Sequence, residues 1–270
     1  MRVVTFNILN GRTPHDHVVD VQVLADAVRD LDADVLALQE VDRSQERSGL
    51  ADLTAVAAEA MGARAHRFVA ALAGSPGATW TAATGEEQPD DAAYGIALLS
   101  RVPVTGWEVV RLPALRAPVP MRFAGQLRPN LVRDEPRVAV AALLETSFGP
   151  VTVATTHLSF VSWWNGRQLA HLARALRGAR GPLVLTGDLN MGADRASRIT
   201  GLSPLVRAAT FPVGDPVEQL DHVLGEPEMT ARGEARRMAL SDHRALVVDL
   251  EPGSVGLSRR RPAPRRTPRR

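Results

Sequence analysis

The chain has no cysteine and no lysine, a single tyrosine, and no apolar run long enough to span a bilayer. Without cysteine there are no disulfides and no thiolate metal sites, so any metal must be held by oxygen or imidazole. Without about 18 consecutive apolar residues, no transmembrane helix is expected. The first residues, Met1-Arg-Val-Val-Thr-Phe6, read as a strand and not as the charged-then-apolar layout of a signal peptide. A cytoplasmic location is therefore expected. All 32 basic residues are arginine, and seven of them fall within residues 259–270, which hold no acid. Setting those seven aside leaves 25 basic residues against 30 acidic ones, about −5 for the rest of the chain. That body lacks the positive excess of a dedicated duplex-DNA binder.

What is present suits one large soluble domain. Of 270 residues, 45% are hydrophobic and 23% charged, enough to build a substantial core. Residues 1–252 are read as that domain, expected to be a monomer. Residues 253–270 are rich in arginine and proline, carry no apolar periodicity, and are expected to be a disordered tail.

Strands are expected at 3–7, 34–40, 64–72, 94–100, 104–112, 137–146, 151–157, 183–187, 219–224 and 244–250. Asp20 is placed to cap a first helix through Leu31, a second runs from Leu50 to Met61 and closes at Gly62, and Asn165 is read as the cap of a third. Residues 73–93 and 113–136 read as loops. Two packed sheets with helices outside fit this order better than a doubly wound nucleotide-binding fold.

Polar side chains follow the apolar runs. Leu183-Val-Leu-Thr-Gly-Asp-Leu-Asn190 is the plainest case. The i, i+2 spacing puts Asp188 and Asn190 on one side of an extended segment. Asp188 can activate a water or hold a cation, and Asn190 can orient an anionic oxygen; alone, the same residues also describe a simple turn. Five more runs end similarly: at Asn7, at Gln39-Glu40, at Thr156-His157, at Asp221-His222 and at Asp242-His243. Six clusters of carboxylates, amides and histidines without a thiol suggest an oxygen-ligated Mg²⁺ or Mn²⁺ with acid–base groups beside it.

The ordered set Thr-Phe-Asn-Ile, Gln-Glu-Val, Tyr-Gly-Ile-Ala-Leu-Leu-Ser-Arg, Thr-His-Leu, Gly-Asp-Leu-Asn, Leu-Asp-His-Val and Ser-Asp-His-Arg resembles the endonuclease/exonuclease/phosphatase superfamily. The resemblance covers about residues 1–250. It implies the deoxyribonuclease I-like α/β (α+β) fold, a four-layered αββα sandwich of two mainly antiparallel sheets with the site at one rim. It implies that Glu40 is the principal Mg²⁺ ligand, with Asn7 nearby and Asp242 assisting, and that Mn²⁺ can substitute. Asp188 then orients or deprotonates the attacking water. Asn190, His157 and His243 contact phosphoryl oxygens, and Asp221 orients His243.

Other residues carry weaker signals. Tyr94 fits a core position or the site wall equally well. Trp163 and Trp164 can stack on a base, sugar or headgroup, or pack a loop. His222 is read as structural, His66 and His171 as exposed, and His15-Asp16-His17 as a solvated loop in preference to a zinc site.

Within the superfamily, Leu9 and His157 depart from the apurinic-site endonucleases, which carry Asp and Tyr there. Met191-Gly192 and the missing cysteine depart from the inositol 5-phosphatases. Glu135-Pro136-Arg137 resembles a segment of the deoxyribonuclease I-like and general bacterial members. Nuclease, phospholipid phosphodiesterase and small-molecule phosphatase remain the alternatives, with nucleic acid or phospholipid as partners. A different class of reading is a non-catalytic pseudoenzyme that binds polyanions through the tail; the complete set of acids and histidines argues against it.

Overall fold

A computed structural model describes residues 1–14, 18–88, 90–115, 117–121 and 130–251. The tail at 253–270 and the His15-Asp16-His17 segment lie outside the described residues. The elements follow in the order β1 (Arg2–Asn7), α1 (Val21–Leu31), β2 (Val35–Arg43), α2 (Leu53–Met61), β3 (Ala65–Gly74), β4 (Trp80–Ala82) and β5 (Ala93–Ser100). Next come β6 (Val104–Arg111), β7 (Val119–Met121), β8 (Asn130–Val132), β9 (Val138–Thr146), β10 (Gly149–His157) and α3 (Ser162–Ala175). The last are β11 (Leu183–Asp188), α4 (Ala193–Thr200), β12 (Ser203–Pro204), β13 (Asp221–Gly225), β14 (Ala231–Arg236) and β15 (Ala245–Leu250).

One sheet has the order β14-β15-β1-β2-β5-β3-β4 and the other β12-β13-β11-β10-β9-β6. Each contains one parallel pair, β1 with β2 and β10 with β11; their other pairings are antiparallel. The parallel pairs follow from the connections, because α1 and α3 carry the chain back across the sheet before the next strand begins.

The sheets pack face to face. Val3, Val35, Ala37, Ile96 and Leu98 of one meet Val140, Val151, Val153, Val184 and Val223 of the other. The opposite face of the first sheet (Val4, Phe6, Leu36, Leu38) is covered by Leu24, Val28, Leu31, Leu53 and Met61 of α1 and α2. That of the second (Ala139, Ala154, Leu185) is covered by Leu169, Leu172 and Ala196 of α3 and α4. Both faces of these strands are buried, which is why they read as continuous apolar runs without alternation. Each buried leucine contributes roughly 1.5–3 kcal/mol of transfer free energy. The result is the expected four-layered α/β sandwich. Among the described residues no helix is long and apolar enough to cross a membrane.

Several local expectations need correction. The third helix starts at Ser162, not at Asn165, which lies buried inside it. Asn165 Nδ2 donates instead to the carbonyl of Asn190 at 2.8 Å. The second helix starts after Leu50, because the Asp52 carboxylate accepts from the amides of Thr54 and Ala55. The expected loops hold three short strands, β4, β7 and β8. Helix α4 was not expected because Ile199 is its only large apolar residue, and β14 because Ala231–Arg236 is an edge strand with four charged or glycine positions.

Candidate active site at the sandwich rim

The site lies where the two parallel pairs end. Along the face between the sheets, period two carries Val3 to Thr5 to Asn7, Val153 to Thr155 to His157, and Val184 to Thr186 to Asp188. The seam thus changes from hydrocarbon to hydroxyl to an amide, an imidazole and a carboxylate within five residues. Gln39 bridges the sheets at the middle step: its Nε2 donates to Thr5 Oγ1 and to Thr155 Oγ1, each at 3.1 Å.

Alternation alone would send Glu40 away from the seam. Between Leu38 and Val41 the register with β5 shifts, and Glu40 adopts a left-handed φ of 55°. This bulge swings Glu40 to the seam and returns Val41 to the helix-facing core. Asn190 (φ 50°) and Ser241 (φ 71°) share the left-handed state. Such residues carry strain of order 1–3 kcal/mol each, and here they sit together at one rim. Gly187 is required for a related reason. With φ at 131°, a Cβ there would meet the Thr156 carbonyl oxygen at 1.9 Å.

Asn7 joins the two halves. Its Nδ2 donates to Glu40 Oε1 and to Asp188 Oδ2, both at 3.1 Å, while its Oδ1 accepts from the Leu9 amide. The amide nitrogen, not the oxygen, therefore faces the carboxylates. Asp188 is 2% exposed, with His157 Nε2 at 3.6 Å and His243 Nε2 at 3.9 Å. His243 Nδ1 is 2.7 Å from Asp221 Oδ2. Asn190 donates its amide to Asp188 Oδ1, and its Nδ2 lies 3.4 Å from His157 Nε2. Ser241 Oγ donates to the Asn7 carbonyl and accepts the His243 amide, fixing the Ser-Asp-His turn against β1.

Burial, with help from the charge of Asp221, pushes the Asp188 carboxyl up to about 7. Burial opposes the charge on His243, but Asp221 and Asp188 outweigh it and hold that imidazole at about 9. His157 goes the other way: burial, Arg137 and His243 all depress it well below its ordinary value. At neutral pH one histidine is thus a cation and the other a neutral ring. Burial also raises Glu40, against the Asn7 hydrogen bond and the Arg137 charge.

Asn7, Glu40, His157, Asp188, Asn190 and His243 line a cavity of about 520 Å³. Its walls add Glu135 and Arg137, from the Glu135-Pro136-Arg137 segment, and residues that the motifs did not indicate: Asn10, Arg47, Trp80, Arg133, Phe160 and Phe211. Arg47 is forked onto buried Asp42 at 2.8 and 2.7 Å and lies over the Trp80 and Tyr94 rings. Tyr94 is a wall residue, buried so that its hydroxyl titrates well above its ordinary value. Trp163 and Trp164 do not line the cavity. They lie in the first turn of α3, where Trp164 Nε1 donates to the Pro113 carbonyl and Trp163 is 52% exposed; Phe160 takes the wall position. Asp242 is also off the wall and acts on Glu40 through its charge. His222 is buried with Nε2 2.8 Å from the Met191 carbonyl, a packing role; His66 is exposed and His171 only partly so.

The donors fit a hard divalent cation, since they are carboxylate, amide and imidazole and the chain has no thiol. Ligand atoms of Asp188, Asp221 and His243 approach within 4.8 Å of one another. A cation among those three would displace the 2.7 Å His243–Asp221 contact and repel the imidazolium. Glu40 is partly exposed and has no cationic partner in hydrogen-bond contact among the described residues, so it is free of that conflict.

Residues 4–243 match the Endonuclease/Exonuclease/phosphatase family, and the chain belongs to it. Members of this family are hydrolases of phosphoesters that depend on a metal. Among solved structures, an endonuclease/exonuclease/phosphatase from Beutenbergia cavernae shares 25% identity at a TM-score of 0.66, covering 93% of this chain and 71% of that one. A sphingomyelinase C from Streptomyces griseocarneus shares 17%, with a TM-score of 0.60 and coverage of 92% and 98%. A mannosyl-6-phosphatase from Bacteroides thetaiotaomicron shares 14%, with a TM-score of 0.59 and coverage of 93% and 99%. No curated protein matches the sequence.

Proposed function

We propose that the protein is a Mg²⁺-dependent phosphoesterase, with Mn²⁺ able to substitute. The observation that carries this reading is Asp188. It is buried, held by Asn7, flanked by one neutral and one cationic histidine, and set opposite Glu40 in a single cavity. A carboxyl near 7 accepts a proton from an attacking water at neutral pH, so Asp188 is the base. His243, kept charged by Asp221, donates to the phosphoryl group and protonates the leaving oxygen as the ester P–O bond breaks. Asn190 and the neutral His157, whose nitrogens lie 3.4 Å apart, would contact non-bridging oxygens on the same side. Glu40 would hold the divalent ion, with Asn7 orienting its carboxylate and Asp242 adding charge; the ion would supply charge neutralisation to the phosphoryl group. The sphingomyelinase and sugar-phosphatase neighbours support a phosphoester of a small molecule or lipid as substrate. Turnover of bis-p-nitrophenyl phosphate should vanish in EDTA and return with Mg²⁺ or Mn²⁺. Undiminished turnover in EDTA would sink the reading.

A further inference from the structure

We propose that Arg137 is a substrate-phosphate ligand of this cavity and selects phosphomonoester dianions over phosphodiester monoanions. The proposal rests on the phosphoesterase reading and deepens it. Arg137 immediately precedes β9. The β9–β10 register pairs Ala139 with Thr156, so one step outward sets Val138 level with His157 and Arg137 just beyond it at the rim. Its carbonyl accepts the Leu112 amide at 2.9 Å, which anchors the backbone there.

The side chain is 5% exposed and lines the cavity. Its protein contacts are one-sided. Nη2 lies 3.3 Å from Glu135 and 3.9 Å from Asp134, while the buried Nε finds no hydrogen-bond partner among the described residues. That Nε is enclosed by protein, so a phosphate in the cavity would be met by the part of the guanidinium that lines the wall. The planar fork matches phosphoryl oxygens, and the buried Asp134 carboxylate 3.9 Å away contributes charge without taking up that fork by a hydrogen bond. Its field already reaches both halves of the site, acting on Glu40 and on His157. The other arginines on the wall are less suited. Arg47 spends its fork on Asp42, and Arg133 is exposed.

Selectivity follows from charge and oxygen count. A phosphodiester carries one negative charge and two non-bridging oxygens; Asn190 and His157 would serve the oxygens, and the His243 imidazolium with a cation on Glu40 would balance the charge. A monoester carries up to two charges and three such oxygens. Arg137 provides the additional positive group and the additional donor.

The test compares p-nitrophenyl phosphate with bis-p-nitrophenyl phosphate, with Mg²⁺, in wild type, Arg137→Lys and Arg137→Gln. A double variant, Asp134→Asn with Arg137→Gln, removes the buried pair together and guards against a lone buried carboxylate unfolding the protein. Affinity for inorganic phosphate, measured by calorimetry with and without Mg²⁺, is the second readout. In the folded glutamine variants kcat/KM for the monoester should fall roughly 10–100-fold, the scale of a lost charge-assisted hydrogen bond. The diester should lose only a few-fold, phosphate binding should weaken alongside the monoester, and lysine should restore part of both. Equal losses on the two esters would overturn the selectivity. Unchanged phosphate affinity would overturn the ligand assignment and leave Arg137 as a counter-ion of Asp134. Phosphate affinity also separates this proposal from the hydrolase reading, because it decides the role of Arg137 even where neither ester turns over.

Discussion

Glu40 and Asp188 both follow apolar runs, yet one stands on a bulge with a left-handed backbone and the other in unbroken register. His157, Asp188 and Asp221 form a single cross-strand row over β10, β11 and β13. The regular row buries its carboxylate, and burial makes Asp188 hold a proton near neutrality. The bulge leaves Glu40 partly exposed, beside an amide donor and within reach of the Arg137 charge. Regular pairing thus produces the proton-handling half of the site, and a local departure from it produces the cation-handling half.

That division can be broken at either end. The largest effect is expected at Asp188. Asp188→Asn is nearly isosteric and removes the base, giving up one of the two hydrogen bonds accepted from Asn7 and the Asn190 amide, so kcat should fall about 10²–10⁴-fold without loss of folding. Activity within a few-fold of wild type, by stopped assay on a phosphodiester, would move the base elsewhere. Next is Glu40→Gln, where the loss should appear as metal affinity. The apparent Mg²⁺ requirement should rise about 10–100-fold, with the rate recovering in part at high Mg²⁺; a Mg²⁺ titration that superimposes on wild type removes Glu40 as ligand.

Within the proton-handling half, Asp221→Asn and His243→Ala should be non-additive, because the 2.7 Å contact makes them one unit. A double variant whose loss is the product of the single losses shows two independent groups. The smallest effect is on stability. His243 is raised from 6.5 to about 9, so its contribution is complete below about 6.5 and disappears as pH rises through 9. Asp188, raised from 3.8 to about 7, has the same sign, its contribution fading as pH rises from about 4 through 7. The metal-free protein should therefore lose a few degrees of Tm between pH 6 and 9.5, and Asp221→Asn should flatten the upper part of that slope. A rising Tm over this interval contradicts both assignments.

The acids and histidines of the site were legible in sequence because they end strands buried on both faces, and such strands announce themselves as apolar runs. The four layers followed from the same runs and the helices between them. The cavity walls were not legible. Arg47, Trp80, Phe160 and Phe211 come from turns and short edge segments, where no periodicity marks which side chain faces inward. Trp163 and Trp164 misled because the helix begins at Ser162, earlier than a cap at Asn165 allows, and this turns them toward Pro113 and solvent. Glu40 was identified by its motif neighbours, while the bulge that delivers it has no signature beyond an acid in an apolar strand. Arg137 had a signal in Glu135-Pro136-Arg137, but its burial and unpaired Nε are tertiary properties.

The first and last strands set where the molecule can be held. Strand β1 runs from Arg2 to the rim at Asn7, and antiparallel β15 runs from Ala245 near the rim to Leu250. The Met1 ammonium donates to the Leu250 carbonyl, so the N-terminus and the exit at Glu251 lie side by side about 20 Å from the cavity mouth, the length of six strand residues. A handle at either position, whether a surface linkage or a fused domain, leaves the mouth facing away from its anchor. With residues 252–270 removed, the two positions are also close enough to be joined and the chain reopened at a surface turn such as 147–148, between β9 and β10, away from the rim.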